Sequence, residues 1–190
     1  MIKKSDLVLV GPDGYVTSEG AQLSINTAGY WIHSAIHKAR PDVVAAAHCH
    51  SFHGKAWSVF GRPIDIMQQD ATVFYNNLSV YNSYGGIVLA SEEGNNIAAA
   101  LGPNNKTCIL RNHVGNTIDE CIYLFALLDK HCKLQLMAEA AAANGIPKLL
   151  IDDDDAEYNS RTQKDWEVLY ASFQPEYELL IKETNGEFLQ

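Results

Sequence analysis

The feature that most constrains this chain is the stretch Asp42 to His53, Asp-Val-Val-Ala-Ala-Ala-His-Cys-His-Ser-Phe-His. Its apolar run, Val43 to Ala47, predicts a buried strand that delivers two histidines two residues apart. In an extended chain, residues i and i+2 point to the same face. His48 and His50 then project together, with Cys49 on the opposite side as a small buried residue. Two imidazoles on one face are two legs of a metal site, and a third leg must come from elsewhere. His113 is the candidate, because Ile109-Leu-Arg-Asn-His113 closes a second apolar, strand-like run. Neutral imidazoles suit zinc and other first-row divalent ions. Three protein ligands with an open position describe a catalytic metal rather than a structural one. The His-Cys-His spacing alone favours packing or hydrogen-bonding histidines over metal ligands, and His113 at the end of a second strand is what adds weight to the metal reading. His53, three residues past His50, falls off the strand face and is a weaker local ligand. A metallohydrolase HxHxDH pattern fails, because residue 52 is Phe.

Composition narrows the class. A chain of 190 residues with 47% hydrophobic content builds one domain with a sizeable core. The formal net charge of -9 argues against general nucleic-acid affinity. No run of about 18 apolar residues occurs, so no membrane span is predicted. Leu7 to Val10 is too short for a signal-peptide core. Cys49, Cys108, Cys121 and Cys132 show no CxxC or framework spacing, which fits reduced thiols and a cytoplasmic location.

Along the chain, Leu7 to Val10, the turn Gly11-Pro-Asp-Gly14 and the strand from Tyr15 predict an opening hairpin. Asn26 or Thr27 caps a helix from about Ala28 to Ala39. His33 and His37 are i, i+4 neighbours on it, and with no HExxH motif they read as a polar helix face or as satisfied packing histidines. Pro41 ends that helix. Phe52 to Phe60 predicts a short helix and Ile64 to Met67 a short strand. Gln69 and Asp70 follow as a polar cluster ahead of Phe74 and Tyr75. Gly85-Gly86 to Ala90 reads as a turn and strand, Ser91 to Leu101 as a helix, and Thr107 to Arg111 as a strand. Thr117 caps a long amphipathic helix ending at Asn144-Gly145. The tail, 151–190, carries the acidic run Asp152 to Asp155, a helix N-terminal turn favoured by the dipole. An aromatic amphipathic stretch from Trp166 follows it.

Taken together, Tyr30-Trp-Ile-His-Ser-Ala-Ile-His-Lys-Ala-Arg-Pro-Asp42, Ala47-His-Cys-His-Ser51, Leu110-Arg-Asn-His113 and Thr117-Ile-Asp-Glu-Cys-Ile-Tyr-Leu-Phe125 resemble the class II aldolase/adducin family. These segments stand in the family's order across most of residues 5–145. Gln69-Asp70, Gly85-Gly86 and the acidic tail are similar to a fungal-type branch near adducin head domains. The resemblance implies a three-layer αβα fold, α/β in class, with a mainly antiparallel central sheet. It implies one domain over 1–150 and a tail packing on it or on a neighbouring subunit. It also implies a divalent metal, zinc first with manganese or another first-row ion as alternatives, held by His48, His50 and His113. The expected partners are a small carbonyl or carboxylate substrate and further copies of the chain, a tetramer in the family. The expected chemistry is that of a lyase, aldol cleavage or decarboxylation through a metal-stabilised enolate. A non-catalytic, adducin-like oligomerisation domain is the alternative.

The chain departs from the family at three places. Gly29 stands where the aldolases carry their acid/base glutamate. The Gly-Asn-x-Ser segment that helps bind substrate phosphate is absent, and Thr27-Ala28 replaces a Ser-Ser pair. Val114-Gly-Asn-Thr117 follows His113 directly, so most of the strand after that histidine is expected to be lost. Asp70 is the candidate replacement acid/base, with Gln69 and Tyr75 as substrate-binding neighbours. Arg111 and Asn112 read as orienting the His113 loop.

Overall fold

A computed structural model describes residues 2–82, 91–109, 112–115 and 117–190, the side chains of residues 91 and 112–115 excepted. The chain opens with the expected hairpin, β1 (Val8–Val10) antiparallel to β2 (Val16–Gly20). Helix α1 (Thr27–Ala39) follows, with the Asn26 side chain accepting the Gly29 N–H at 3.0 Å. Its apolar positions Ile32, Ala35 and Ile36 recur at three and four residues and are buried. Arg40 then bonds Asp42 twice, at 2.8 and 2.7 Å, and the carbonyls of Gly102 and Asn105 at 2.9 and 3.1 Å. One guanidinium thereby ties the turn after α1 to a distant turn.

Strand β3 (Ala45–His48) leads to α2 (Phe52–Ser58). A 3-10 turn, Gln69–Phe74, precedes β4 (Leu78–Val80); then come α3 (Ser91–Leu101), β5 (Thr107–Ile109) and β6 (Asn112–Gly115). The central sheet has the order β3-β6-β5-β4 among the described residues. It is antiparallel at β3/β6 and β5/β6 and parallel at β4/β5. Helix α4 (Ile118–Ala143) starts at Thr117, whose hydroxyl accepts the Glu120 N–H at 3.1 Å. It ends at Gly145, whose φ of +86° suits glycine.

Among the described residues, two apolar clusters flank the sheet. One joins Ile32, Ala35 and Ile36 of α1, Ile97, Ala98 and Leu101 of α3, Val43 and Cys108, with Ala46 packed against it. The other joins Leu124, Leu128 and Cys132 of α4 with Trp57, Ile64, Val73, Phe74, Ile109 and Leu169. The result is the three-layer αβα arrangement with a mainly antiparallel sheet. In the tail, α5 (Asp153–Gln163) packs on the 3-10 turn and α6 (Trp166–Thr184) on α4.

Three expectations need comment. Ile64 to Met67 is not a strand. Its backbone is satisfied by a side chain and by the linker: Asp65 N–H donates to Gln135 Oε1 at 2.8 Å, and Ile66 C=O accepts from Ile151 N–H at 2.9 Å. A strand does persist around His113, since β6 pairs with both β3 and β5 despite the short sequence that follows it. The expected turn and strand at residues 85–90 lie outside the described residues, as does the end of the predicted strand at 110–111.

Candidate metal and active site

The histidine pair sits where β3 runs out. Three observations place the two faces of that strand. Ala46, which shares the parity of His48, packs against the α1/α3 cluster. The His33 imidazole of α1 is lowered in pKa by burial and then by the neighbouring charges of His48 and His37, so His48 lies near α1. Cys49 instead lines a cavity with Phe125, Leu128, Asp129 and Cys132 of α4. The expected split, histidines to one side and the cysteine to the other, is thus present.

His48 and His50 have ring centroids 5.2 Å apart with planes tilted by 54°. Two imidazoles bound to one tetrahedral ion at Zn–N distances of about 2.0–2.1 Å place their centroids about 5 Å apart. The pair therefore fits two legs on one ion. His113 lies in β6, the immediate neighbour of β3, with its Cα in register with Ala47, while Asn112 pairs with His48. The His113 side chain is outside the described set. Among the described side chains, no three His, Cys, Asp or Glu converge on one point. Cys121 and Cys132 have thiols pushed up to about 12, chiefly by burial, and so remain protonated and poor ligands.

Gly29 lies in the first turn of α1, one turn before His33. A Cβ built there meets only Asn26 atoms at 3.9 Å, an ordinary contact, so this position has room for a side chain. His37 Nδ1 approaches Val43 C=O at 3.1 Å, which fixes the end of α1 against the start of β3.

Gln69 and Asp70 are exposed in the 3-10 turn that leads into β4, at the other end of the described strand order from β3. The structure gathers Gln69, Asp70 and Tyr75 on one short segment but sets that segment apart from the histidine pair within the chain. Asp70 acts electrostatically on His131, whose imidazole burial nonetheless lowers. The Tyr75 phenol is pushed up by burial, by a hydrogen bond to Asp153 and by the charges of Asp153 and Glu157. Tyr75 is therefore engaged with α5.

A further group, not signalled by sequence, lies behind the histidine turn. His53 Nδ1–H donates to Asp129 Oδ2 at 2.8 Å, and Gly54 N–H donates to Asp129 Oδ1 at 3.3 Å. Asp129 sits mid-helix, 76 residues away from His53.

A three-layer αβα domain with a histidine pair at the end of a sheet strand defines the class. The sequence model for the "Class II Aldolase and Adducin N-terminal domain" matches residues 1–136. The chain belongs to this class II aldolase and adducin family. It is 38% identical over 149 residues to a meiotically up-regulated gene 14 protein of Schizosaccharomyces pombe, covering 76% of this chain and 57% of that one. It is 41% identical over 144 residues to the decarboxylase NovR of Streptomyces niveus, covering 74% and 53%. To α-adducin of Rattus norvegicus it is 32% identical over 85% of this chain and 22% of that protein. The structure superposes on an L-fuculose 1-phosphate aldolase from Glaciozyma antarctica with a TM-score of 0.87 at 31% identity, covering 100% of this chain and 73% of the other. The chain spans about half the length of the first curated relatives it matches, 57% and 53% in the two microbial cases. No helix among the described residues is long and apolar enough to cross a membrane.

Proposed function

We propose that this chain forms the core of a metal-dependent lyase that breaks a carbon–carbon bond next to a carbonyl, with decarboxylation favoured over aldol cleavage. The observation that carries the reading is the His48–His50 ring spacing of 5.2 Å, together with the room for a side chain at Gly29. His48, His50 and His113 would hold a divalent ion, zinc first. When bound, that ion would supply a Lewis acid able to polarise a carbonyl oxygen. Aldol cleavage requires a base to take a hydroxyl proton, and Gly29 offers none. Loss of carbon dioxide from a carboxylate beta to a carbonyl requires no such base. The C–C bonding pair moves toward the carbonyl, carbon dioxide leaves, and a proton is then delivered to the resulting carbanionic carbon. The similarity to a protein named a decarboxylase agrees with this choice.

Asp70 is the proposed proton donor, with Gln69 and Tyr75 beside the substrate. Because Asp70 stands at the far end of the strand order, it would serve the histidines of another copy in a homo-oligomer, a tetramer by family resemblance. A cytoplasmic setting fits four cysteines without CxxC or framework spacing.

Metal analysis of protein purified without chelators tests the reading. About one divalent ion per chain is expected, lost in His48→Ala and His50→Ala. Protein that carries and takes up no stoichiometric metal would sink it. The α-adducin similarity supports a second reading, a non-catalytic oligomerisation domain. Turnover of a β-keto acid that chelation abolishes and metal restores would exclude that one.

A further inference from the structure

The turn that follows His50 is held from behind by a single carboxylate. Asp129 accepts the Nδ1–H of His53 at 2.8 Å and the N–H of Gly54 at 3.3 Å, and it also hydrogen-bonds the Ser51 hydroxyl. An ionised carboxylate only accepts, so the His53 Nδ1 that faces it carries a proton. Ser51 Oγ in turn accepts the Gly54 N–H at 3.1 Å, and Ser51 N–H points to Cys49 Sγ at 3.3 Å. A Cβ at residue 54 would lie 2.5 Å from Ser51 Oγ, so only glycine leaves this arrangement intact. Three of the four residues after His50 therefore converge on one acid from the middle of a distant helix.

The fold alone does not call for a carboxylate there. Apart from Ser51 and Gly54, which bond Asp129, the cavity wall around it is apolar or thiol: Cys49, Phe125, Leu128 and Cys132 among them. Burial works against the ionised form of Asp129. The hydrogen bonds from His53, Ser51 and Gly54 outweigh it and hold the carboxyl below its ordinary range. That charge is held by the His53 ring, the Ser51 hydroxyl and the Gly54 N–H, all on the turn that follows His50. We infer that Asp129 is a positioning residue that fixes the turn after His50 and through it the spacing of the His48 and His50 rings. The inference rests on the reading of those rings as metal ligands. Groups that orient ligands from outside the coordination sphere typically change metal affinity by about 10- to 100-fold when removed.

The test combines Co2+ titration of the full chain with histidine-ring NMR of the metal-free protein, on Asp129→Ala, Asp129→Asn and the exposed control Lys133→Ala. Asp129→Ala is expected to weaken Co2+ binding by about tenfold or more. It should also shift or broaden the His48 and His50 ring signals while leaving the Ile36 and Leu101 methyl signals in place. Asp129→Asn, which keeps the shape and one acceptor oxygen, should recover part of the loss, and Lys133→Ala should change nothing. Ring signals and Co2+ affinity that stay at wild-type values in both Asp129 variants would overturn the inference, even if thermal stability falls. Wild-type protein that fails to bind Co2+ would overturn the ligand reading. Displacement of the ring signals by Asp129→Ala in that same protein would still uphold the positioning role. Should Asp129→Ala fail to fold, the near-isosteric Asp129→Asn decides the matter by the same two measurements.

Discussion

The two faces of β3 are finished in different ways. Toward α4, Cys49 enters a cavity walled by α4 side chains, and the turn beyond it is bonded to Asp129. Toward α1, the helix layer is tight where α1 meets α3 and open at Gly29, in the first turn of α1. A Cβ on Gly94 would sit 2.4 Å from the Trp31 carbonyl oxygen, whereas one on Gly29 meets nothing nearer than 3.9 Å. The difference separates scaffold from site. Hydrogen bonds to Asp129 fix the turn after His50 and backbone contact fixes the α1/α3 crossing at Gly94, whereas space is retained at Gly29. Adding one methyl group at successive glycines is a direct way to break that contrast.

The largest effect is expected from Gly94→Ala. Its Cβ would overlap a backbone atom of α1 and come within 3.1 Å of the Ala35 Cβ, and neither can rotate away. The two helices must separate, at a cost of about 3 kcal/mol by analogy with overpacked cores. Urea denaturation should show the lower midpoint. A wild-type midpoint would mean that α1 and α3 are less closely packed than described.

Asp129→Asn comes next and carries a pH signature. Hydrogen bonds to a charged group that are lost or left half-made cost about 2 kcal/mol. The folded-state carboxyl lies below its ordinary value, so its contribution is fully present above the unfolded pKa of about 3.9. The contribution disappears as pH falls through the lower folded value. Denaturation of wild type and variant should therefore differ most near pH 7 and converge in acid. A gap that stays constant down to pH 2 would show that the ionised carboxylate is not what stabilises the turn.

Gly54→Ala should cost less, about 1 kcal/mol, the usual value of a helix N-cap. The obstruction here is the Ser51 hydroxyl, a side chain that can rotate, so the variant loses its cap without displacing backbone. Thermal melts would read the change. The double variant with Asp129→Asn should fall short of the sum, because both substitutions remove parts of one network.

What could be read from the sequence follows from how local each signal is. The Asn26 and Thr117 caps, the Arg40-Pro-Asp42 turn and the alternation through Ala47-His-Cys-His50 are each written within a few residues. They placed α1, β3, α4 and the histidine pair. Ile64 to Met67 has a strand's composition, but its partners are the Gln135 side chain and the linker at Ile151, which only the folded chain brings together. Leu78–Val80 lies after the 3-10 turn and has too short a run to stand out as a strand. Asp70 followed an apolar run and suggested proximity to the histidines, yet β6 and β5 stand between β3 and β4. Strand order is a long-range property with no local mark. Asp129 was invisible for the same reason, since its partners precede it by about half of α4 and everything back to α2.

Gly29→Ala is the smallest effect and the only one expected to be stabilising. The residue sits in a helix without a positive φ, its N–H is already bonded to Asn26, and a new methyl group would find ordinary contacts. Replacing glycine in a compatible helical position removes backbone freedom from the unfolded chain and gains about 0.5 kcal/mol. A rise in melting temperature with metal uptake unchanged would show that residue 29 is glycine for reasons other than folding. A fall would mean that backbone or side chains close over the position more tightly than 3.9 Å allows, and that the open side of the histidine pair is scaffold after all.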